Sequence, residues 1–227
     1  MGFEANEKNF VRNLIRHADV YGRPHKMEDR YVLIPAAISD RMGYQTFRSR
    51  LHHNSFEEDA CGSLGISHEK AWWCSQTRSE VTVPVVKLDY FLSRVPPIYD
   101  FFYLKVDVEN TDHRVIYGAG SYIEKFEIVT IECRPDDFPD KFVVDSCNQT
   151  TMKSYMKKYG FIVSHCDFED CHFAKKERGM VLLKSIFPLA HTPVSADACH
   201  WNTVLFERRA GKSVYQPKDY TIESAYH

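Results

Sequence analysis

Phe101-Phe102-Tyr103-Leu104-Lys105-Val106-Asp107-Val108 is the stretch that decides the fold. A run this rich in apolar and aromatic residues suits a strand buried on both faces, as in a sheet covered by helices. Asn110 or Thr111 can cap a following helix, in which Val115, Ile116, Ala119, Tyr122 and Ile123 make one apolar stripe despite Gly118 and Gly120. Glu127 to Cys133 then reads as the next strand.

The alternation continues outward from this unit. Upstream, Met1 to Glu4 reads as the tail of a strand, after which Asn6 caps a helix with Phe10, Val11, Leu14, Ile15 and Ala18 on one face. Tyr31 to Ala37 reads as a second strand, followed by a turn at 39–43 and an edge strand at Tyr44 to Phe47. Leu51 to Arg78 has no steady period and reads as a long loop. Val81 to Leu88 alternates and opens a short helix, Asp89 to Val95, which stops at Pro96-Pro97. Downstream come a helix over about Thr151 to Tyr159, stopped by Gly160, a strand at Phe161 to His165 and a last strand at Trp201 to Glu207. Between Cys166 and His200 only a short apolar run, Met180 to Ile186, stands out. The expectation is an α/β domain over 1–210 with a mostly parallel sheet and helices on both faces, then a polar tail over 211–227.

Composition narrows the partners. Lys and Arg total 29 against 31 Asp and Glu, so no global field draws the chain to nucleic acid or an anionic membrane, and a small or neutral partner is expected. No apolar run approaches the roughly 20 residues of a membrane-spanning helix. Seven Cys without framework spacing read as reduced thiols and a cytoplasmic location. Oligomeric state is not legible.

In an open α/β sheet, ligands bind beyond the carboxyl ends of the strands. Polar groups stand there at Glu4, at Ser39 and Asp40, and at Asp107 with Glu109. Glu4 can accept hydrogen bonds from both hydroxyls of a ribose, or can be a solvated carboxylate before a helix. Asp107 and Glu109 share a face if the strand persists and then suit base chemistry; otherwise one of them caps the next helix. His52, His53 and His68 are alternative bases in the long loop, and Trp72-Trp73 can stack on a ligand or pack in a core. No metal site is expected: on one strand His165 and Cys166 point to opposite faces, so they cannot share an ion beside Cys171-His172. The Ser-His-Asp order, the GxSxG elbow and the phosphate-binding glycine loop are all lacking.

The residues also carry a family pattern. Val85-Val86-Lys87-Leu88-Asp89-Tyr90-Phe91-Leu92, then Tyr103-Leu104-Lys105-Val106-Asp107-Val108-Glu109, Gly118-Ala119 and Ile131-Glu132 resemble, in order, the FkbM-type family of S-adenosylmethionine-dependent methyltransferases. Gly2-Phe3-Glu4-Ala5-Asn6 and Pro35-Ala36-Ala37-Ile38-Ser39-Asp40 resemble its upstream segments. The resemblance implies a Rossmann-like class I fold that binds S-adenosyl-L-methionine and methylates a hydroxyl of a small molecule or glycan. It implies that Glu4, with Asn6 beside it, holds the cofactor ribose, that Ala37, Ile38 and Ser39 border the adenine, and that Asp107 and Glu109 lie by the methionine portion or the acceptor. Two features depart from the pattern. Asn110-Thr111-Asp112 stand where the family has glycine-alanine-glutamate, and its aspartate-valine-glycine-alanine-asparagine strand end and loop have no counterpart. The expected fold is therefore N-terminally incomplete, from a truncated gene model or a degenerate copy, with two interior strands deprived of their shared neighbour. Activity would then be impaired; a non-catalytic interaction module and a nicotinamide-dependent oxidoreductase are the other readings.

Overall fold

The strand expected at Phe101 to Val108 forms as β6, Tyr99–Val106, in a computed structural model that describes residues 2–7, 10–11, 32–50, 62–64, 78–109, 111–136, 147–167, 170–175 and the backbone of 202–208. Before it come β1 (Gly2–Phe3), β2 (Leu33–Ile34), β3 (Ala37–Ser39), β4 (Gly43–Arg50), β5 (Arg78–Lys87) and the short helix α1 (Leu88–Leu92). After it come α2 (Asp112–Ala119), a 3-10 turn (Gly120–Lys125), β7 (Ile128–Glu132), α3 (Gln149–Lys158), β8 (Phe161–Cys166), β9 (Asp170–Lys175) and β10 (Asn202–Arg208). The apolar run Met180 to Ile186 and the tail 211–227 lie outside the described residues. No described helix is long and apolar enough to cross a membrane.

The strands form two sheets, one ordered β2-β1-β10-β6-β7-β9-β8 and a smaller one ordered β3-β5-β4. In the large sheet β1–β2 and β6–β7 run parallel, whereas β10 is antiparallel to both its neighbours and β9 to both of its own. The expected mostly parallel sheet is thus corrected to a mixed one within an α/β fold. The expected strand Tyr31 to Ala37 is also corrected, because Leu33–Ile34 belongs to the large sheet and Ala37–Ser39 to the small one. Pro35 has no N–H to give a ladder, so the chain changes sheets there. The expectation of two strands without a shared neighbour fails too: β10 stands between β1 and β6 and pairs with each. Backbone groups are satisfied by a strand of either direction, so an antiparallel one fills the place.

Alternation along the strands separates two kinds of residue. Leu104 and Val106, Val129 and Ile131, and Cys171 and Phe173 join Leu88 and Leu92 of α1, Ile116 of α2 and Met152 of α3 in one core. Lys105, Thr130, His172 and His165 instead line up across β6, β7, β9 and β8 as cross-strand partners. The expected stripe of α2 holds for Val115, Ile116, Ala119 and Ile123, all buried, while Tyr122 is half-buried. Four of the seven cysteines are not thiols as expected, because Cys133–Cys147 and Cys166–Cys171 are disulfides. The cytoplasmic expectation rested on reduced thiols and loses that support.

Gly118 sets the distance between α2 and the small sheet. A Cβ there would lie 2.2 Å from the backbone oxygen of Ser39 and 3.0 Å from the Cα of Asp40. Alanine favours a helix over glycine by about 1 kcal/mol, but relieving a clash with backbone costs about 1–3 kcal/mol. Gly118→Ala is therefore expected to lower stability in urea unfolding, against the propensity trend; an increase would show that the close approach is absent.

Candidate functional site

Where the two sheets meet, a single cavity collects the ends of several strands. Phe3, Glu4, Ala5 and Asn6 line it after β1, Ala36, Ala37 and Ile38 from the start of β3, and Asp107, Val108 and Glu109 beyond β6, with Phe47, Gly62 and Leu64 opposite. It measures about 80 Å³, or about 660 Å³ when all the empty space out to solvent is counted. Small-molecule sites span roughly 300–1,000 Å³, so a nucleoside-sized ligand would lie partly in the open mouth. Of the residues singled out in the sequence, Glu4, Asn6, Ala37, Ile38, Asp107 and Glu109 are brought together here. Ser39 is buried against Gly118 instead and does not line the cavity. His52, His53, His68, Trp72 and Trp73 lie outside the described residues.

Local hydrogen bonds fix the lining. Glu4 donates its backbone N–H to the Ile34 carbonyl at 3.0 Å, and its Oε1 accepts from the Asn6 N–H at 2.8 Å. The Asn6 carbonyl accepts from the Phe10 N–H, which makes the helical turn expected after Asn6. Asp107 Oδ2 pairs with Lys105 Nζ at 3.2 Å, both side chains being mostly buried. Glu109 has φ of 56°, the left-handed region that costs a residue with a side chain about 1 kcal/mol or more and is frequent at functional sites. Ser63 holds this turn: its Oγ donates to the Glu109 carbonyl at 2.7 Å, and its backbone exchanges two bonds with Arg48 of β4. The wall of Phe47, Gly62 and Leu64 carries no signal in the sequence beyond the fact that Gly62 and Leu64 fall in the long loop expected over Leu51 to Arg78.

Behind the cavity the acids crowd. Thr111 occupies the cap position of α2 without a side-chain capping bond. Asp112 takes the local role: its Oδ1 accepts from the Val108 N–H at 2.8 Å, while its buried Oδ2 has no hydrogen-bond partner among the described residues. Burial first, and the Asp107 carboxylate second, hold the Asp112 carboxyl well above the ordinary range. Glu132 at the end of β7 is pushed up as well, by burial and then by Asp112, Glu109 and Asp107, with Arg134 at 3.7 Å opposing. Carboxylates this close cannot all ionise, so the group retains a proton at neutral pH.

That crowding fixes a sign. A carboxyl whose pKa is raised on folding stabilises the fold fully below its unfolded value, near 4.5 for Glu132, and loses that contribution as pH rises toward the folded value. Stability is therefore expected to fall between pH 5 and pH 8. Glu132→Gln, which keeps the protonated shape, is expected to flatten the slope and to exceed the parent by about 1 kcal/mol or more at pH 8. Urea unfolding at the two pH values measures it; parallel slopes for parent and variant would refute the assignment.

Acidic groups from the ends of two separate strands, facing an apolar wall at one crevice, form an arrangement suited to a cationic or hydroxyl-bearing ligand. No curated protein and no solved structure matches the chain. The profile of the Methyltransferase FkbM domain matches residues 1–163, which include every lining residue of the cavity. The chain belongs to the FkbM methyltransferase domain family.

Proposed function

We propose that this chain is an S-adenosyl-L-methionine-dependent methyltransferase of Rossmann-like class I descent, acting on a hydroxyl of a small molecule or glycan. The observation that carries the reading is the meeting of Glu4 with Asp107 and Glu109 at one cavity. In this assignment Glu4 takes the ribose hydroxyls, with Asn6 fixing its carboxylate, and Ala37 and Ile38 supply an apolar border for the adenine next to Phe47. Ser39 acts only through its backbone, as the seat of Gly118. The donor set fits the cofactor, since carboxylates face both its diol and its positively charged methionine end. When bound, S-adenosyl-L-methionine supplies a methyl group already made electrophilic by its sulfonium. The protein's own residues then have to align the acceptor oxygen and accept its proton, for which Asp107 and Glu109 are placed.

Calorimetric titration with S-adenosylhomocysteine tests this. One molecule is expected to bind per chain, and Glu4→Gln is expected to weaken it by roughly tenfold or more, the worth of hydrogen bonds to a charged group. Absence of binding, or binding of NADH in its place, would overturn the reading.

A further inference from the structure

The β8–β9 hairpin carries a second constellation, two strands away from the cavity. Antiparallel pairing sets His165 directly opposite His172, their rings stacked with centroids 4.3 Å apart, and Cys166 opposite Cys171. The strand alternation that separates His165 from Cys166 therefore assembles two like pairs, with the cysteines closed as a disulfide on the other face. Asp167 follows at the turn, and the ligand atoms of His165, Asp167 and His172 all lie within 4.8 Å of one another.

We propose that His165, Asp167 and His172 form a binding site for a borderline divalent cation, zinc fitting best. Two imidazoles and one carboxylate are a donor set for zinc and its transition-metal neighbours, whereas magnesium and calcium demand oxygen ligands. With bonds of about 2.0–2.2 Å, tetrahedral ligand atoms stand roughly 3.3–3.6 Å apart. Binding requires a contraction of up to roughly 1.2–1.5 Å and a turn of the His165 ring out of its stack on His172 so that both lone pairs meet one ion. The half-buried His165 and the exposed Asp167 make these movements while the buried His172 keeps its place.

Its surroundings already resemble a ligand shell. His172 Nδ1 lies 3.0 Å from Thr130 Oγ1, and that hydroxyl also bonds Tyr103. A ring held through Nδ1 presents Nε2 to the ion, the usual arrangement of an oriented metal-binding histidine. Asp167 Oδ1 accepts the Asp170 N–H at 2.7 Å, which orients a carboxylate that still has acceptor capacity for an ion. The Cys166–Cys171 disulfide joins the same two strands, so the backbone that carries the ligands is held together before the ion arrives. Three protein ligands leave a fourth position for water or an anion.

Zinc titration of the full, untagged chain after chelator treatment, repeated with cobalt to read the visible absorption of tetrahedral coordination, decides the matter. One ion per chain is expected, with His165→Ala and Asp167→Ala each lowering affinity roughly tenfold or more while circular dichroism stays unchanged. Asp167 is exposed and His165 half-buried, so both can be replaced without substituting the buried His172. No saturable binding, or variants that bind zinc as tightly as the parent, would overturn the site. The outcome does not depend on the methyltransferase reading, because no cofactor enters the measurement.

Discussion

Val204→Pro is expected to cost about 3 kcal/mol or more and to lower the melting temperature by roughly 6–12 °C. Val204 sits in β10 opposite Leu104 of β6, one residue along from Thr203, which pairs with Gly2 of β1. A proline in an interior strand removes a ladder hydrogen bond, and prolines are essentially confined to edges and bulges. The place is critical because, among the described strands, β10 alone bridges β2-β1 and β6-β7. Loosening it would separate Glu4 from Asp107 as well as unfold the sheet. With total stabilities of about 5–15 kcal/mol, the loss would be visible in any thermal melt. A variant that melts with the parent would place the segment 202–208 outside the sheet.

What the sequence revealed and what it hid follow from the range of the interactions. Tyr99–Val106, Asp112–Ala119 and Gln149–Lys158 were legible because apolar runs, helical stripes and stops such as Gly160 are local signals. The strand near Trp201 was legible as a strand, but nothing in its own residues tells its direction or its neighbours, which depend on partners about a hundred positions away in β6 and about two hundred away in β1. Asp170–Lys175 escaped notice because it is only six residues long and its alternation is confined to Asp170, Cys171, His172 and Phe173, too brief a signal to stand out. Strand ends predicted the meeting of Glu4 with Asp107, since a carboxyl end is defined by the strand itself. Phe47 and Leu64 reach the same cavity only through the packing of the small sheet, which is a tertiary event. Likewise, spacings of 14 and 5 residues did not mark Cys133–Cys147 and Cys166–Cys171 as pairs.

Asp107→Asn is expected to slow methyl transfer by about 10²–10⁴-fold, the range of a lost general base. The amide keeps the shape of the carboxylate, so the effect isolates charge and basicity. Two consequences follow at once, because Lys105 Nζ lies 3.2 Å from the carboxylate it would lose. The proton acceptor disappears, and a mostly buried ammonium loses the carboxylate it pairs with beside the cavity. A ligand that carries a sulfonium should therefore suffer more than one that carries a neutral thioether. S-adenosylmethionine is expected to bind the variant several-fold more weakly relative to S-adenosylhomocysteine than it binds the parent, and Lys105→Met in the same chain should restore much of that ratio without restoring the rate. Loss of rate with an unchanged ratio would leave Asp107 as a base remote from the methionine end. Transfer within a few-fold of the parent would remove Asp107 from the chemistry and shift the proton to Glu109, which lines the same cavity.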